Sequence, residues 1–285
     1  MRQGPLPPPG GTDLLPEVTG VEKPPRLDPA ELKRHLATEV IGRRIEYHER
    51  IASTTGTAKD LSAKGSMADL HGTVILAEEQ TGGTGRLGRT WVSPPGGIWF
   101  TVILAPKIPV DRIIMVTMAG SLAVARAIRK EYDLGALIKW PNDILLGDRK
   151  VGGLLLEVSS SESRVNACYL GIGIDANIPL SSLSPELRRT VTSLSAELGR
   201  DVAREPFLAG VLWELEIRLN LLEAGEYETV AREWRSLSST LGRRVRIRTL
   251  SRSFEGEAVD IDEYGALIVR KDSGAVERVI AGDCT

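Results

Sequence analysis

Gly83-Thr84-Gly85-Arg86-Leu87-Gly88 is the stretch of this 285-residue sequence that most directly suggests chemistry. Glycines let backbone N–H groups approach an anion closely, and Arg86 and Arg89 add positive charge. The segment satisfies G-x-G-x-x-G behind a predicted strand, which is the dinucleotide-binding pattern. That pattern needs a helix directly after the loop, whose N-terminus holds the pyrophosphate. Here the chain continues Arg89-Thr90-Trp91-Val92-Ser93-Pro94-Pro95-Gly96-Gly97, and two prolines with two glycines forbid that helix. The protein-kinase version of the loop fails too, because no His-Arg-Asp or Asp-Phe-Gly motif follows, and there is no Walker sequence. On the loop alone, an anion site and a solvated hairpin with ordinary surface arginines stand level.

Metal and redox chemistry find little support. His35, His48 and His71 are scattered without ligand spacing. Cys168 and Cys284 cannot make a disulfide framework, and they fit a reducing, cytoplasmic setting. Lys plus Arg total 36 against 38 for Asp plus Glu, a net charge of −2, which excludes an overall basic nucleic-acid binder but not a local patch. No run approaches the roughly 20 apolar residues of a membrane span.

Several elements must position the loop. Eight of the 16 prolines fall before residue 30 and no aromatic precedes Tyr47, so residues 1–27 read as a disordered arm without a secretory signal pattern. Order is predicted to begin at Asp28-Pro29-Ala30-Glu31, where an N-cap Asp and a Pro at the first helical position open a helix. Buried strands are predicted over 73–77 and 98–104, with further strands near 153–158 and 167–175. Residues 111–131 predict a core helix that is apolar on much of its circumference, and 205–223 predict another. After Trp234 the texture changes to short alternating strands at 243–248, 257–261, 267–270 and 276–280. They predict a small β-barrel over 236–285, behind a mixed α+β domain over 28–235.

Three further segments narrow the reading. Lys139-Trp140-Pro141-Asn142-Asp143 is a rare string, followed by Lys150-Val151-Gly152-Gly153-Leu154-Leu155-Leu156-Glu157 and then by Leu170-Gly171-Ile172-Gly173-Ile174-Asp175-Ala176-Asn177. Together with Ser53-Thr54-Thr55 and the run from Glu79-Gln80 to Trp91, they resemble the biotin protein ligases (holocarboxylase synthetases) in order and spacing over residues 30–285. The resemblance implies a class II synthetase-like mixed sheet with helices, followed by an SH3-like barrel. It also implies a two-step reaction, in which biotin's carboxylate attacks the α-phosphate of ATP and a lysine amine then attacks the resulting biotinyl-5′-AMP. ATP and Mg²⁺ would be the cofactors. The partner would be the biotin carboxyl carrier protein or domain of acetyl-CoA carboxylase or a related carboxylase, and the enzyme would be a monomer or homodimer.

That family pattern puts Ser53, Thr54, Thr55, Gln80, Gly83, Thr84, Gly85, Gly153, Leu155 and Gly171 around biotin. It puts Arg89, Trp91, Asn142, Asp143, Asp175 and Asn177 around ATP, with Arg86 and Lys150 serving both. The chemistry agrees: a carboxylate must approach an anionic phosphate, so cations are needed to screen the repulsion, and Arg86 and Lys150 are the best candidates. Asp143 is the third expected catalytic group, either orienting or deprotonating the incoming lysine. Biotin's neutral ureido ring needs a few placed polar groups in an apolar slot. Glycines 152, 153, 171 and 173 sit inside strand-like runs, where close approach of a ligand would explain them. Trp91 either packs on the adenine or belongs to the core.

The sequence departs from the family at three places. Thr84 stands where an arginine is common, Thr55 where Asn is usual, and Asp175 where Asn is usual; a carboxylate accepts hydrogen bonds but cannot donate them. The proline-rich arm lacks the length and apolar periodicity of a helix-turn-helix, so a ligase without DNA-binding or repressor activity is expected. A lipoate or octanoate ligase of the same superfamily is the nearest alternative.

Overall fold

The computed structural model describes residues 25–161, 164–249 and 252–285. Order begins as expected: Asp28 caps α1 (Pro29–His35), its side chain accepting from the Ala30 N–H at 2.8 Å. Most of the expected arm, residues 1–24, lies outside the described residues. Its last three residues correct that expectation, because they are docked. Leu27 is buried, its N–H donates to the Glu78 carboxylate, and the Pro25 carbonyl accepts from Arg204. The cause is a buried Glu78–Arg204 ion pair that needs further partners to offset its desolvation. Gly96 N–H supplies one to Glu78, and the Gly97 carbonyl supplies one to Arg204.

A seven-stranded sheet forms the body, built from β1 (Ile45–Ile51), β2 (Val74–Gln80), β3 (Ile98–Leu104), β4 (Leu137–Lys139), β5 (Asp143–Leu146), β6 (Arg149–Ser161) and β7 (Arg164–Ile174). Their order is β1-β2-β3-β7-β6-β5-β4, with β1 and β2 parallel and the other pairs antiparallel. The strand expected over 73–77 runs on to Gln80. Its apolar signal stops early because the last residues, Glu78 to Gln80, serve the ion pair and the site described below.

Period-two alternation on β3 assigns the two faces. Ile98, Phe100, Val102 and Leu104 join the main core with α4 (Met115–Tyr132) and α7 (Arg204–Glu223). Ile103 faces the other way, onto Ala58 of α2 (Thr54–Ser62) and Leu70 of α3 (Met67–Leu70). The helix expected over 111–131 begins later, because Pro109 opens a separate 3₁₀ turn at Val110–Arg112. Two short helices, α5 (Pro185–Arg188) and α6 (Leu194–Leu198), follow the large sheet, and α8 (Tyr227–Ser236) follows α7.

Behind α8 stands an antiparallel sheet of five strands: β8 (Arg244–Arg248), β9 (Ser253–Ile261), β10 (Leu267–Arg270), β11 (Val276–Val279) and β12 (Asp283–Cys284). Their order is β11-β10-β9-β8-β12. This sheet is bonded to the body at one buried point and one half-buried one. Trp140 N–H donates to Thr240 Oγ1 at 2.9 Å, and Arg112 lies between the rings of Tyr227 and Tyr264, 4.4 and 4.7 Å from their centres. Among the described residues, no helix is long and apolar enough to cross a membrane.

Candidate active site

Ser53 caps α2 and so brings the helix N-terminus against the end of β2. Thr54 donates to Gln80 Oε1 from both its backbone N–H, at 2.9 Å, and its hydroxyl, at 3.0 Å. Gln80 Nε2 then donates to Ser93 Oγ at 2.9 Å. The Thr54 and Thr55 hydroxyls each meet the buried Thr101 hydroxyl, at 2.9 and 3.0 Å. Gly171 on β7 keeps this cluster compact, since a Cβ there would stand 3.0 Å from Thr55 Oγ1. The result is a small set of neutral donors and acceptors, already ordered by one another, which suits a neutral polar ring.

The glycine loop lies beside it. Gly85 N–H donates to the Arg89 carbonyl at 2.7 Å, and Leu87 takes a left-handed φ of 57° at the exposed tip. Arg86 leaves the loop and donates to Asn142 Oδ1 at 3.3 Å and to the Gly282 carbonyl at 3.0 Å. Burial lowers its pKa, opposed by Asp283 and Asp143. Arg89 pairs with Asp283, and Lys150 Nζ donates to Asp143 Oδ1 at 2.5 Å. Every one of these cations thus rests on a protein oxygen, where phosphate oxygens could stand instead.

Trp91 closes the floor. Its ring lies 4.8 Å from Lys150 Nζ and meets Trp99 edge-on at 6.4 Å. A Cβ on Gly173 would stand 2.7 Å from Trp91 Nε1, and one on Gly153 would stand 3.1 Å from the same ring. In this structure, therefore, the indole explains the closeness at Gly173, and the indole together with the Lys150 side chain, 3.0 Å away at Cε, explains it at Gly153. The Trp91 Nε1–H is buried without an acceptor among the described residues.

One cavity of about 610 Å³ joins these parts, within the usual range for a small-molecule site. Of the residues expected from the sequence, Ser53, Thr54, Thr55, Gln80, Thr84, Gly85, Arg86, Arg89, Trp91, Asn142, Asp143, Lys150, Gly153, Leu155, Gly171 and Asp175 all line it. Asp175 is almost wholly buried, which pushes its carboxyl well above the usual range, with Lys150 pulling the other way.

Two expected residues do not belong to the lining. Asn177 spends its amide on Val202, donating to the carbonyl and accepting from the N–H at 2.8 Å each, and so pins the chain that follows. Gly83 serves the turn: its carbonyl accepts from Trp91 N–H at 2.9 Å, and a Cβ would stand 2.4 Å from the Trp91 carbonyl.

Sequence reasoning missed other lining residues. Lys139 lay inside the quoted motif, and an apolar wall comes from Ile178, Leu183, Leu187 and Val191. Arg246, Arg248 and Asp283 reach the cavity from the C-terminal sheet. Thr101 and Ser93 act from behind Thr54, Thr55 and Gln80. A buried hydroxyl in the otherwise apolar run Ile98–Leu104 was the available signal for Thr101. Nothing in the spacing signalled the arginines of β8.

The model of the biotin/lipoate A/B protein ligase family matches residues 47–175, and that of the biotin protein ligase C terminal domain matches 240–285. The bifunctional ligase/repressor BirA of Bacillus subtilis is 33% identical over 264 residues, 92% of this chain and 80% of that protein. The biotin--[acetyl-CoA-carboxylase] ligase of Mycobacterium tuberculosis is 30% identical over 268 residues, 90% of this chain and 96% of that protein. Among solved structures, the biotin protein ligase of Aquifex aeolicus in complex with biotin and ATP superposes with a TM-score of 0.74 at 25% identity, covering 85% of this chain and 98% of that one. The chain belongs to the biotin protein ligase family.

Proposed function

We propose that this protein activates biotin with ATP and transfers it to a lysine of a biotin carboxyl carrier domain. The observation that carries this reading is the single cavity in which a neutral hydrogen-bonding cluster adjoins Arg86 and Lys150. The Thr54, Gln80 and Thr55 group suits the ureido ring, which leaves the acyl tail to run towards the cations. A carboxylate oxygen of biotin then bonds to the α-phosphorus, and the bond to the β-phosphate oxygen breaks with its electron pair leaving on pyrophosphate. Arg86 and Lys150 neutralise charge on the phosphorane oxygens, a role that preorganised cations fill without reorganisation.

In the second step the carrier lysine nitrogen bonds to the acyl carbon and AMP departs. Asp143, on the same cavity, takes or orients the amine proton once Lys150 has turned to phosphate. The apolar wall at Ile178, Leu183, Leu187 and Val191, with Trp91, suits the adenine face. The hard carboxylate oxygens of Asp143 fit Mg²⁺, which one or two carboxylates hold together with phosphates and waters. Bound there, the ion would supply further charge screening.

The setting we assign is the cytoplasm, and the role is that of a ligase without repressor activity. Absence of a gel shift on DNA at low salt would agree with that role. The direct test incubates the protein with biotin, ATP, Mg²⁺ and a purified carrier domain. One biotin is expected on the target lysine and none on the Lys→Arg carrier; no label on either would overturn the proposal.

A further inference from the structure

Six cations line the cavity: Arg86, Arg89, Lys139, Lys150, Arg246 and Arg248. Four of them are committed. Arg86 rests on Asn142 and the Gly282 carbonyl, Arg89 on Asp283, Lys150 on Asp143, and Arg246 on Glu255. The side chains of Lys139 and Arg248 have no hydrogen bond or ion pair with any described residue.

Their placement makes this informative. Lys139 stands directly across the β4–β5 ladder from Asp143, and Arg248 directly across the β8–β12 ladder from Asp283. Opposed residues in an antiparallel pair share a face, so each should find its carboxylate. Both carboxylates are already taken, Asp143 by Lys150 and Asp283 by Arg89. Lys139 also lies near enough to the Cys284 thiol, next to Asp283, to oppose the rise that burial forces on it. Two unspent cations from two different sheets therefore converge on the β12 side of the cavity.

Resting on the activation reading above, we propose that Lys139 and Arg248 hold the β- and γ-phosphates of ATP and the pyrophosphate that leaves. In the adenylation step the biotin carboxylate oxygen bonds to the α-phosphorus, and the electron pair of the breaking bond goes to the bridging oxygen, so negative charge grows on the leaving group. Cations already bound to protein carboxylates must exchange a partner to meet that charge. Lys139 and Arg248 meet it without breaking an ion pair.

The test is biotin-dependent exchange of labelled pyrophosphate into ATP, with the half-saturating concentrations of ATP, pyrophosphate and biotin measured separately. Arg248→Ala and Lys139→Ala are each expected to raise those for ATP and pyrophosphate ~5- to 10-fold, the lower end for a charged hydrogen bond at an exposed site. The value for biotin should stay within twofold. Arg248→Lys should recover part of the loss, and Arg248→Glu should lose more than Arg248→Ala. Unchanged values for ATP and pyrophosphate in both alanine variants would overturn the proposal, and so would an equal rise for biotin. Absence of biotin-dependent exchange in the unaltered protein would instead overturn the activation reading and this proposal with it.

Discussion

The two ends of the cavity are prepared in opposite ways. At the Thr54 end, hydroxyls and an amide are bonded to one another and already hold the geometry that a neutral ring requires. At the Lys150 end, Lys150, Arg86 and Arg89 are held by Asp143, Asn142, the Gly282 carbonyl and Asp283. A neutral ligand fits a finished network, because an unfilled donor or acceptor costs little while water can reach it. At this end unpaired charge in a half-buried cleft is costly. Protein oxygens therefore hold Lys150, Arg86 and Arg89 in the place of phosphate, and nucleotide binding there becomes an exchange of partners, whereas the Lys139 and Arg248 side chains stand without a partner among the described residues.

The largest test of this contrast removes the cation proposed to meet the reacting phosphate. Lys150→Ala is expected to lower the rate of adenylate formation ~10²- to 10³-fold, the scale for losing one preorganised charge in a transition state. Near-normal exchange activity would break the contrast at its centre. Gln80→Leu probes the other end: it leaves the Thr54 N–H without its acceptor and strips Ser93 Oγ of a donor, and biotin affinity should fall ~10- to 100-fold while ATP affinity holds. A calorimetric titration of each ligand separates the two outcomes, and equal losses for both would show that the ends are not independent.

Asp175 gives a pH-dependent effect on stability. Burial raises its pKa in the folded chain, so the folded state keeps a proton that the unfolded state releases above about pH 4. Stability is thereby lost as the pH climbs from there towards the raised folded value. Asp175→Asn should match the wild type in thermal stability at or below about pH 4 and gain on it at neutral pH; a gain that does not grow with pH would contradict this. The smallest effect belongs to Asp283→Asn. Arg89 is 63% exposed, so its pair with Asp283 is worth at most ~1 kcal/mol after solvent screening. Freeing Arg89 should lower the KM for ATP by up to ~5-fold, whereas a rise would mean that Asp283 positions the loop more than it competes with phosphate.

Much of the site was legible because its residues fall in short local strings. Lys139 to Asp143, Lys150 to Leu155 and the glycine loop each lie on one strand end or turn, so local order carries over into spatial order. Prolines 94 and 95 correctly excluded a nucleotide-binding helix after that loop, and the chain instead runs into β3. The reading failed where the cause is long-range. Pro25 to Leu27 looked like free arm until Glu78 and Arg204, far away in sequence, supplied the bonds that hold them. Asn177 stood in a motif yet serves Val202. The span 243–248 was legible only as a short alternating strand, and it is the docking of the second sheet against Trp140 that brings Arg246 and Arg248 to the cavity.

The central claim is that one cavity activates biotin with ATP, and exchange of labelled pyrophosphate into ATP measures it most directly. Exchange that requires biotin, is not supported by lipoate, and disappears in Lys150→Ala is the predicted result. Exchange supported by lipoate alone, or exchange that proceeds without any acid substrate, would contradict it.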